Sequence, residues 1–264
     1  MWLHASCSLS FEAAFPTPMI FMLRPRSRPG QWVGSEEYRL TPTIRVSEFT
    51  DGFGNLAQRL IAPPGDFRVQ ASARVMVEAP PAPPLHAPFV EVASLPDEAL
   101  VYLLPSRYCE ADRLGNRAHE IVGDAAPGYA QVTRIVDWVM SAIRYTPGSS
   151  TSPVSALEVI ERGEGVCRDL THVTIALCRA LCIPARMVVG YVRELDPMDV
   201  HAWLEVYVGH AWHVFDPLGA RARGPRIVIG HGRDATDVAL YNQYGPLLLP
   251  YDMKVAVSEL PAGP

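Results

Sequence analysis

Three residues of this chain have the types and neighbours that nucleophilic chemistry on a carbonyl requires: Cys167, His201 and Asp216. Cys167 lies in Gly163-Glu-Gly-Val-Cys-Arg-Asp169, with glycines before it and a helical pattern beginning directly after it. A thiol at the first turn of a helix faces unpaired N–H groups and the positive end of the helix dipole, and both favour the thiolate. The flanking glycines would let a substrate backbone come close. Such a thiolate can attack a carbonyl carbon if an imidazole shuttles protons and a carboxylate fixes the imidazole tautomer.

His201 belongs to Val200-His-Ala-Trp-Leu-Glu-Val-Tyr-Val208, which reads as a strand. Ala202, Leu204, Val206 and Val208 share one face, and His201, Trp203, Glu205 and Tyr207 share the other. The chain turns at Gly209-His210 and returns as Ala211-Trp-His-Val-Phe-Asp-Pro217. A two-residue loop at Gly209-His210 pairs Val208 with Ala211 and Trp203 with Asp216, so Asp216 becomes a diagonal neighbour of His201. A loop at Val208-Gly209 sets Asp216 directly opposite His201 instead. Either register brings carboxylate and imidazole to about 5–8 Å between Cβ atoms. Spacing by itself does not define a triad; each residue must also occupy the element its role needs.

Those elements are legible along the chain. Gln31–Leu40, Thr43–Val46 and Phe67–Glu78 hold alternating or β-branched runs, with a tight-turn signal at Asp51-Gly-Phe-Gly-Asn55. They predict a small β-sandwich over residues 1–80. Ala79-Pro-Pro-Ala-Pro-Pro84 then breaks regular structure and marks a linker. Beyond it, helices are expected at Tyr129–Ile143, Pro153–Arg162 and Arg168–Leu181. Strands are expected at Ala185–Val192, Val200–Val208, Ala211–Asp216 and Met253–Ser258. Helices followed by an antiparallel sheet give an α+β fold, with residues 81–264 as the candidate catalytic domain.

Composition bounds the function. Of the 264 residues, 48% are hydrophobic and 19% charged, as in a globular protein with a core. The formal net charge of -5 argues against a general nucleic-acid binder, and the basic stretch Arg24-Pro-Arg-Ser-Arg28 is too short to reverse that. Residues 1–23 contain apolar residues, but no basic residue precedes them and Glu12, Pro16 and Pro18 interrupt them. That is not the layout of a secretory leader or a membrane span, so a cytoplasmic protein without a membrane partner is expected. The five cysteines, Cys7, Cys109, Cys167, Cys178 and Cys182, read as reduced thiols. Cys178 and Cys182 fall near the C-terminal end of the third helix, where the dipole disfavours an anion, and are expected to be buried packing residues.

The motifs together resemble the transglutaminase-like superfamily, in its bacterial branch of cysteine proteases. The resemblance rests on Gly165-Val-Cys-Arg-Asp169 with His172, Ile183-Pro-Ala-Arg186, Gly190-Tyr191, His201-Ala-Trp-Leu-Glu205 and Trp212-His-Val-Phe-Asp-Pro217. Gly232-Arg-Asp-Ala-Thr-Asp-Val238, Leu23-Arg-Pro-Arg26 and Asp51-Gly-Phe-Gly-Asn55 extend it over nearly the whole chain. It implies a papain-like core behind an accessory β domain, with Cys167 as nucleophile, His201 as acid and base, and Asp216 as orienter. It also implies a peptide or protein substrate and no cofactor. Two positions depart from the pattern: Arg168 where glutamine is common, and Leu218 where threonine is common. Neither removes a catalytic atom, although Arg168 could alter substrate charge preference or oxyanion contacts.

Around the three residues the readings stay open. Asp169 and His172, three apart on a helix, either brace the helix start or support the nucleophile. Trp203 either lines the cleft or fills the core, while Arg233 and Asp234 would brace the site without touching substrate. Transfer of the acyl group to water makes a peptidase or amidase, and transfer to an amine makes a transglutaminase. No aspartate cluster has the EF-hand spacing, and hydrolysis is the expected outcome. Two other classes compete: a binding module that keeps the fold without chemistry, and a hydrolase using Cys167, His201 and Asp216 as zinc ligands. No metal site is expected, because a cysteine at a helix start suits a free nucleophile better.

Overall fold

The computed structural model describes residues 1–79 and 82–261, so residues 80 and 81 of the expected linker lie outside them. Six strands come first: β1 (Trp2–Ala13), β2 (Thr17–Phe21), β3 (Gln31–Thr41), β4 (Val46–Thr50), β5 (Leu56–Ala62) and β6 (Gly65–Val77). Helices α1 (Asp97–Leu100), α2 (Gly115–Val122) and α3 (Tyr129–Ala142) follow, then a two-residue strand β7 (Arg144–Tyr145). Next come α4 (Ala156–Arg162), β8 (Glu164–Gly165) and α5 (Cys167–Ala180). The chain continues through β9 (Ala185–Val192), β10 (Val200–Val208), β11 (Ala211–Phe215) and β12 (Arg226–Gly232), and ends with β13 (Tyr241–Gln243) and β14 (Asp252–Glu259).

β1 shows why the first unit is a sandwich. Leu3, Ala5, Cys7, Leu9, Phe11 and Ala13 are all buried, and most of the residues between them are partly exposed. The strand sits inside a sheet of order β14-β1-β6-β3, and a second sheet runs β13-β2-β5-β4. Aromatic rings join the two. Phe11 meets Phe21 edge-on at 6.0 Å and Tyr241 at 5.3 Å, while Phe67 lies 6.5 Å from Phe21. Burying such a ring contributes roughly 2–3 kcal/mol.

The second unit is helices on one antiparallel sheet of order β11-β10-β9-β12. All nine residues of β10 are buried, which makes it the central strand of this unit's core. The fold is therefore α+β, as the sequence predicts. Among the described residues, no helix is long and apolar enough to cross a membrane.

The sheets do not follow the division at residue 80. β14 pairs antiparallel with β1 from Leu3↔Glu259 to Ser10↔Asp252, and β13 pairs with β2. Both ends of the chain thus build the sandwich, and a boundary drawn from a proline run cannot reveal a strand that returns. β1 has β6 on one side only, and β14 supplies the hydrogen bonds its other side requires.

A second difference concerns Cys182, which is exposed rather than packed. α5 ends in a Schellman arrangement: Cys182 N–H donates to Arg179 O at 2.9 Å and Ile183 N–H to Cys178 O at 3.1 Å. Cys182 takes the left-handed position (φ 59°) that glycine usually fills, and this turns its side chain away from the helix stripe.

The two units are fastened where β12 has no neighbouring strand. Gln31 Nε2 donates to Val228 O at 2.9 Å, and its Oε1 accepts from Val228 N at 2.8 Å. Asn55 repeats the device, donating to His231 O at 2.8 Å and accepting from His231 N at 2.9 Å. Each side-chain amide imitates a strand residue and satisfies an otherwise open sheet edge. Gly230 permits the approach, since a Cβ there would stand 2.9 Å from Asn55 Oδ1. Asn55→Ala is expected to destabilise the protein by about 1–3 kcal/mol by orphaning buried backbone groups. Urea unfolding measures it, and an unchanged midpoint would refute the fastening role.

Candidate active site

Each of the three candidate residues is placed by a different local device. Cys167 is the first residue of α5 and half-buried. Val166 before it is extended (φ -93°, ψ 175°), and its N–H donates to Asp169 Oδ2 at 3.1 Å, half of a capping box. His201 is the second residue of β10 and stands opposite Gly190 of β9. A Cβ at residue 190 would lie 2.0 Å from Ile227 O and 2.8 Å from the Trp203 ring, so only glycine fits there.

Asp216 follows β11 after the Gly209-His210 turn, whose φ values of 57° and 64° suit a two-residue hairpin. The register is Val208↔Ala211 through Leu204↔Phe215, the first of the two expected. Asp216 thereby becomes the diagonal neighbour of His201, and His201 Nε2 and Asp216 Oδ2 lie 2.8 Å apart.

The imidazole is buried, and its other nitrogen, Nδ1, has no hydrogen-bond partner. Burial disfavours the charged ring, but the hydrogen bond to Asp216, the neighbouring Cys167 and the charge of Asp216 outweigh it, raising His201 to about 9. Burial pushes the Asp216 carboxyl upward, yet the hydrogen bonds and charges of His201 and Arg226 hold it below the usual carboxylate range. Both effects favour an imidazolium held by a carboxylate. α5 and β10 are held together by Thr171, whose hydroxyl lies 2.8 Å from Cys167 O and 3.2 Å from Ala202 O. It fixes the spacing between the helix of the cysteine and the strand of the histidine.

The remaining sequence-predicted residues surround this group. Asp169 is fully buried and bound to Val166 N–H, to Arg168 and to the Ser150 hydroxyl. Arg168 turns back onto the 150–152 loop, donating to Ser150 Oγ at 2.9 Å and Ser152 O at 2.8 Å. Its charge is thus engaged within the protein. The preceding glycines also have internal duties. Gly163 ends α4 at φ 66°, and Gly165 is buried with room for no Cβ beside Asp169. Trp203 is fully buried, its ring 6.0 Å from that of His201, so it backs the imidazole from the core rather than lining a cleft.

His172 lies in the interior, stacked on Tyr108 at 5.2 Å. Its Nδ1 lies 3.1 Å from Val154 O and its Nε2 accepts from Ala235 N at 3.2 Å, which requires the neutral Nδ1–H tautomer. Asp234 accepts from Tyr108 N and Thr236 N, both at 2.8 Å, and Arg233 pairs with Asp237 at 2.7 Å. Both residues brace the loop after β12.

One further neighbour of Asp216 carries no mark in the sequence. Arg226, the first residue of β12, donates Nη2 to Asp216 Oδ2 at 2.8 Å, and its guanidinium lies 5.6 Å from the Trp203 ring. No local pattern around Arg223-Gly-Pro-Arg226 announces this contact; only the pairing of β12 with β9 creates it. Next to the site, Ile143, Tyr145, Leu170, Pro217, Leu218 and Arg221 line a cleft of about 640 Å³. Among the described residues, no group of three His, Cys, Asp or Glu side chains is arranged to hold a metal ion.

Comparison with known proteins matches this architecture. Residues 115–217, which include Cys167, His201 and Asp216, match the family model of the transglutaminase-like superfamily. The chain belongs to that superfamily. The crystal structure of a candidate cysteine protease from Cytophaga hutchinsonii is 31% identical, with a TM-score of 0.90 over 100% of this chain and 92% of that one. An uncharacterized protein of Mycobacterium leprae is 29% identical over 231 residues, 82% of each chain.

The buried His172 gives the fold an acid sensitivity. Burial, the largest influence, lowers this ring to about 4, against 6.5 for an ordinary histidine. Between those values the unfolded chain binds a proton that the folded one does not, so stability falls as pH drops from about 6.5 to 4. The loss from this group approaches about 3 kcal/mol. Urea unfolding of His172→Gln between pH 7 and 4 is expected to show a shallower decline than the parent, and equal slopes would contradict the assignment.

Proposed function

We propose that this protein is a cysteine-dependent hydrolase of amide or peptide bonds in peptide or protein substrates, with Cys167 as nucleophile, His201 as acid and base, and Asp216 as orienter. One observation carries the reading: a buried imidazole bonded to a carboxylate through Nε2, its other nitrogen without a partner, and the half-exposed Cys167 at a helix start near enough to act on it. The similarity to a candidate cysteine protease supports the choice of bond.

In the first half of the reaction the Cys167 thiolate attacks the carbonyl carbon, and the imidazolium of His201 gives its proton to the departing amine. A thioester to Cys167 remains. Neutral His201 then takes a proton from water as the water oxygen attacks the thioester, which releases the acid and restores the thiolate. Developing negative charge on the carbonyl oxygen is met by the N-terminal end of α5, whose first N–H groups lack intrahelical partners. The cleft beside Pro217 and Leu218, the two residues after Asp216, is the place this reading gives to part of the substrate.

Alkylation by iodoacetamide, resolved cysteine by cysteine, tests the nucleophile. Cys7, Cys109 and Cys178 are buried, which pushes each thiol up to about 12, so they should stay unlabelled. Exposed Cys182 is the fair reference. Cys167 is expected to react faster than Cys182 at about pH 6.5, and His201→Ala to slow it by roughly 10²-fold or more. Equal rates at Cys167 and Cys182 in the folded protein would leave a binding module as the better account.

Turnover supplies a second test. Acylation needs protonated His201, so kcat/KM should fall as pH rises past about 9. A rate that keeps climbing beyond that pH would exclude His201 as the acid. Supplying a primary amine alongside a fluorogenic peptide separates the two acceptors, and free acid should dominate the product.

A further inference from the structure

We propose that Arg226 is a positioning residue for this site, holding Asp216 ionised and aimed at His201 through both halves of the reaction. The inference rests on the function proposed above. Asp216 Oδ2 receives two donors, His201 Nε2 at 2.8 Å and Arg226 Nη2 at 2.8 Å, while Oδ1 accepts from Leu218 N at 3.0 Å. Both carboxylate oxygens are thus engaged in a side chain that is only 7% exposed. Arg226 also lies over Trp203, and Trp203 stacks on His201, so one guanidinium touches both supports of the imidazole.

The need for it follows from the proton's path. In the resting enzyme the single imidazolium faces two negative groups, the Cys167 thiolate and Asp216, so the carboxylate already relies on a second cation. Once His201 has given its proton to the leaving amine, the ring is neutral and the buried Asp216 loses that partner. An unpaired buried carboxylate takes up a proton. It would then donate to the imidazole instead of accepting from it, leaving the wrong tautomer to activate water. Arginine stays charged at any relevant pH and removes this failure.

Its own position is fixed by the sandwich. Arg226 starts β12 opposite Val192, and two residues later Gln31 clamps Val228 at both backbone atoms. Nη2 is also held by Ala222 O. The groups that act electrically on Asp216 are His201 from β10 and Arg226 from β12, while Cys167 from α5 acts on His201. Asp199 before β10 senses His201, and Tyr145 senses Cys167, Asp199 and Arg221.

The test needs no substrate. The rate of Cys167 alkylation by iodoacetamide is followed from about pH 5 to 9 in the parent protein, Arg226→Gln and Arg226→Lys, with thermal unfolding recorded for each. If Arg226 keeps Asp216 ionised, Arg226→Gln loses about tenfold in rate at pH 6 and recovers to within about threefold near pH 8.5. Its acidic limb therefore moves upward, and Arg226→Lys restores the limb because a point charge suffices. A merely structural arginine would lower the rate evenly at every pH or leave it unchanged, and either result overturns the inference. A parent protein whose Cys167 shows no His201-dependent reactivity would instead refute the proposed function, and this inference with it. An unchanged Arg226→Gln profile beside normal parent reactivity refutes the inference alone.

Discussion

A carboxylate removed from water must have its oxygens filled by donors, and the architecture around Asp216 is arranged to meet that demand. Three donors reach it from three segments: the His201 imidazole, the Arg226 guanidinium and the Leu218 N–H. The hairpin register sets the first, the neighbouring of β12 and β9 sets the second, and the turn after Pro217 sets the third. Shifting any of these elements by one residue would leave a buried charge short of partners, a penalty of several kcal/mol. The precision of the site thus comes from the cost of burial as much as from attraction between its members.

The same demand gives a reason for joining the sandwich to this core. β12 carries Arg226 but stands at the edge of its sheet, where a strand is free to fray or slip. Gln31 and Asn55 supply the missing hydrogen bonds from the other unit. Arg28 lies 3.6 Å from Glu205, which also pairs with Arg186, so the face of β10 shared by His201 is tied to the sandwich as well. The sandwich thus contacts the sheet of the site both at its β12 edge and at β10.

Much of the site is legible in the sequence because its devices are local. A helix pattern starting at Cys167, strict alternation around His201 and a two-residue glycine turn before Ala211 each need only neighbouring residues to be read. Cys182 misleads for a local reason too: it continues the helix stripe on paper, but the chain has already left the helix. Arg226 is hidden because nothing in its vicinity refers to Asp216. β1 shows the opposite case. Leu3, Ala5, Cys7, Leu9, Phe11 and Ala13 alternate in plain view, yet an apolar stretch at an N-terminus first raises the question of a leader. Its partner β14 is some 250 residues away, and no local rule proposes that match.

That distant match has a consequence for how the protein assembles. β1 can meet β6 early, but its other edge stays open until the chain has come full circle, and closing so large a loop is slow. During that interval the open edge has no means of telling its own β14 from the identical strand of a neighbouring molecule. Reciprocal exchange of that segment would yield a dimer with every native hydrogen bond in place, its monomers differing only in which chain supplies the final strand. The return of the chain to its starting sheet therefore makes protein concentration during refolding, rather than any residue of the site, the variable that would govern such exchange.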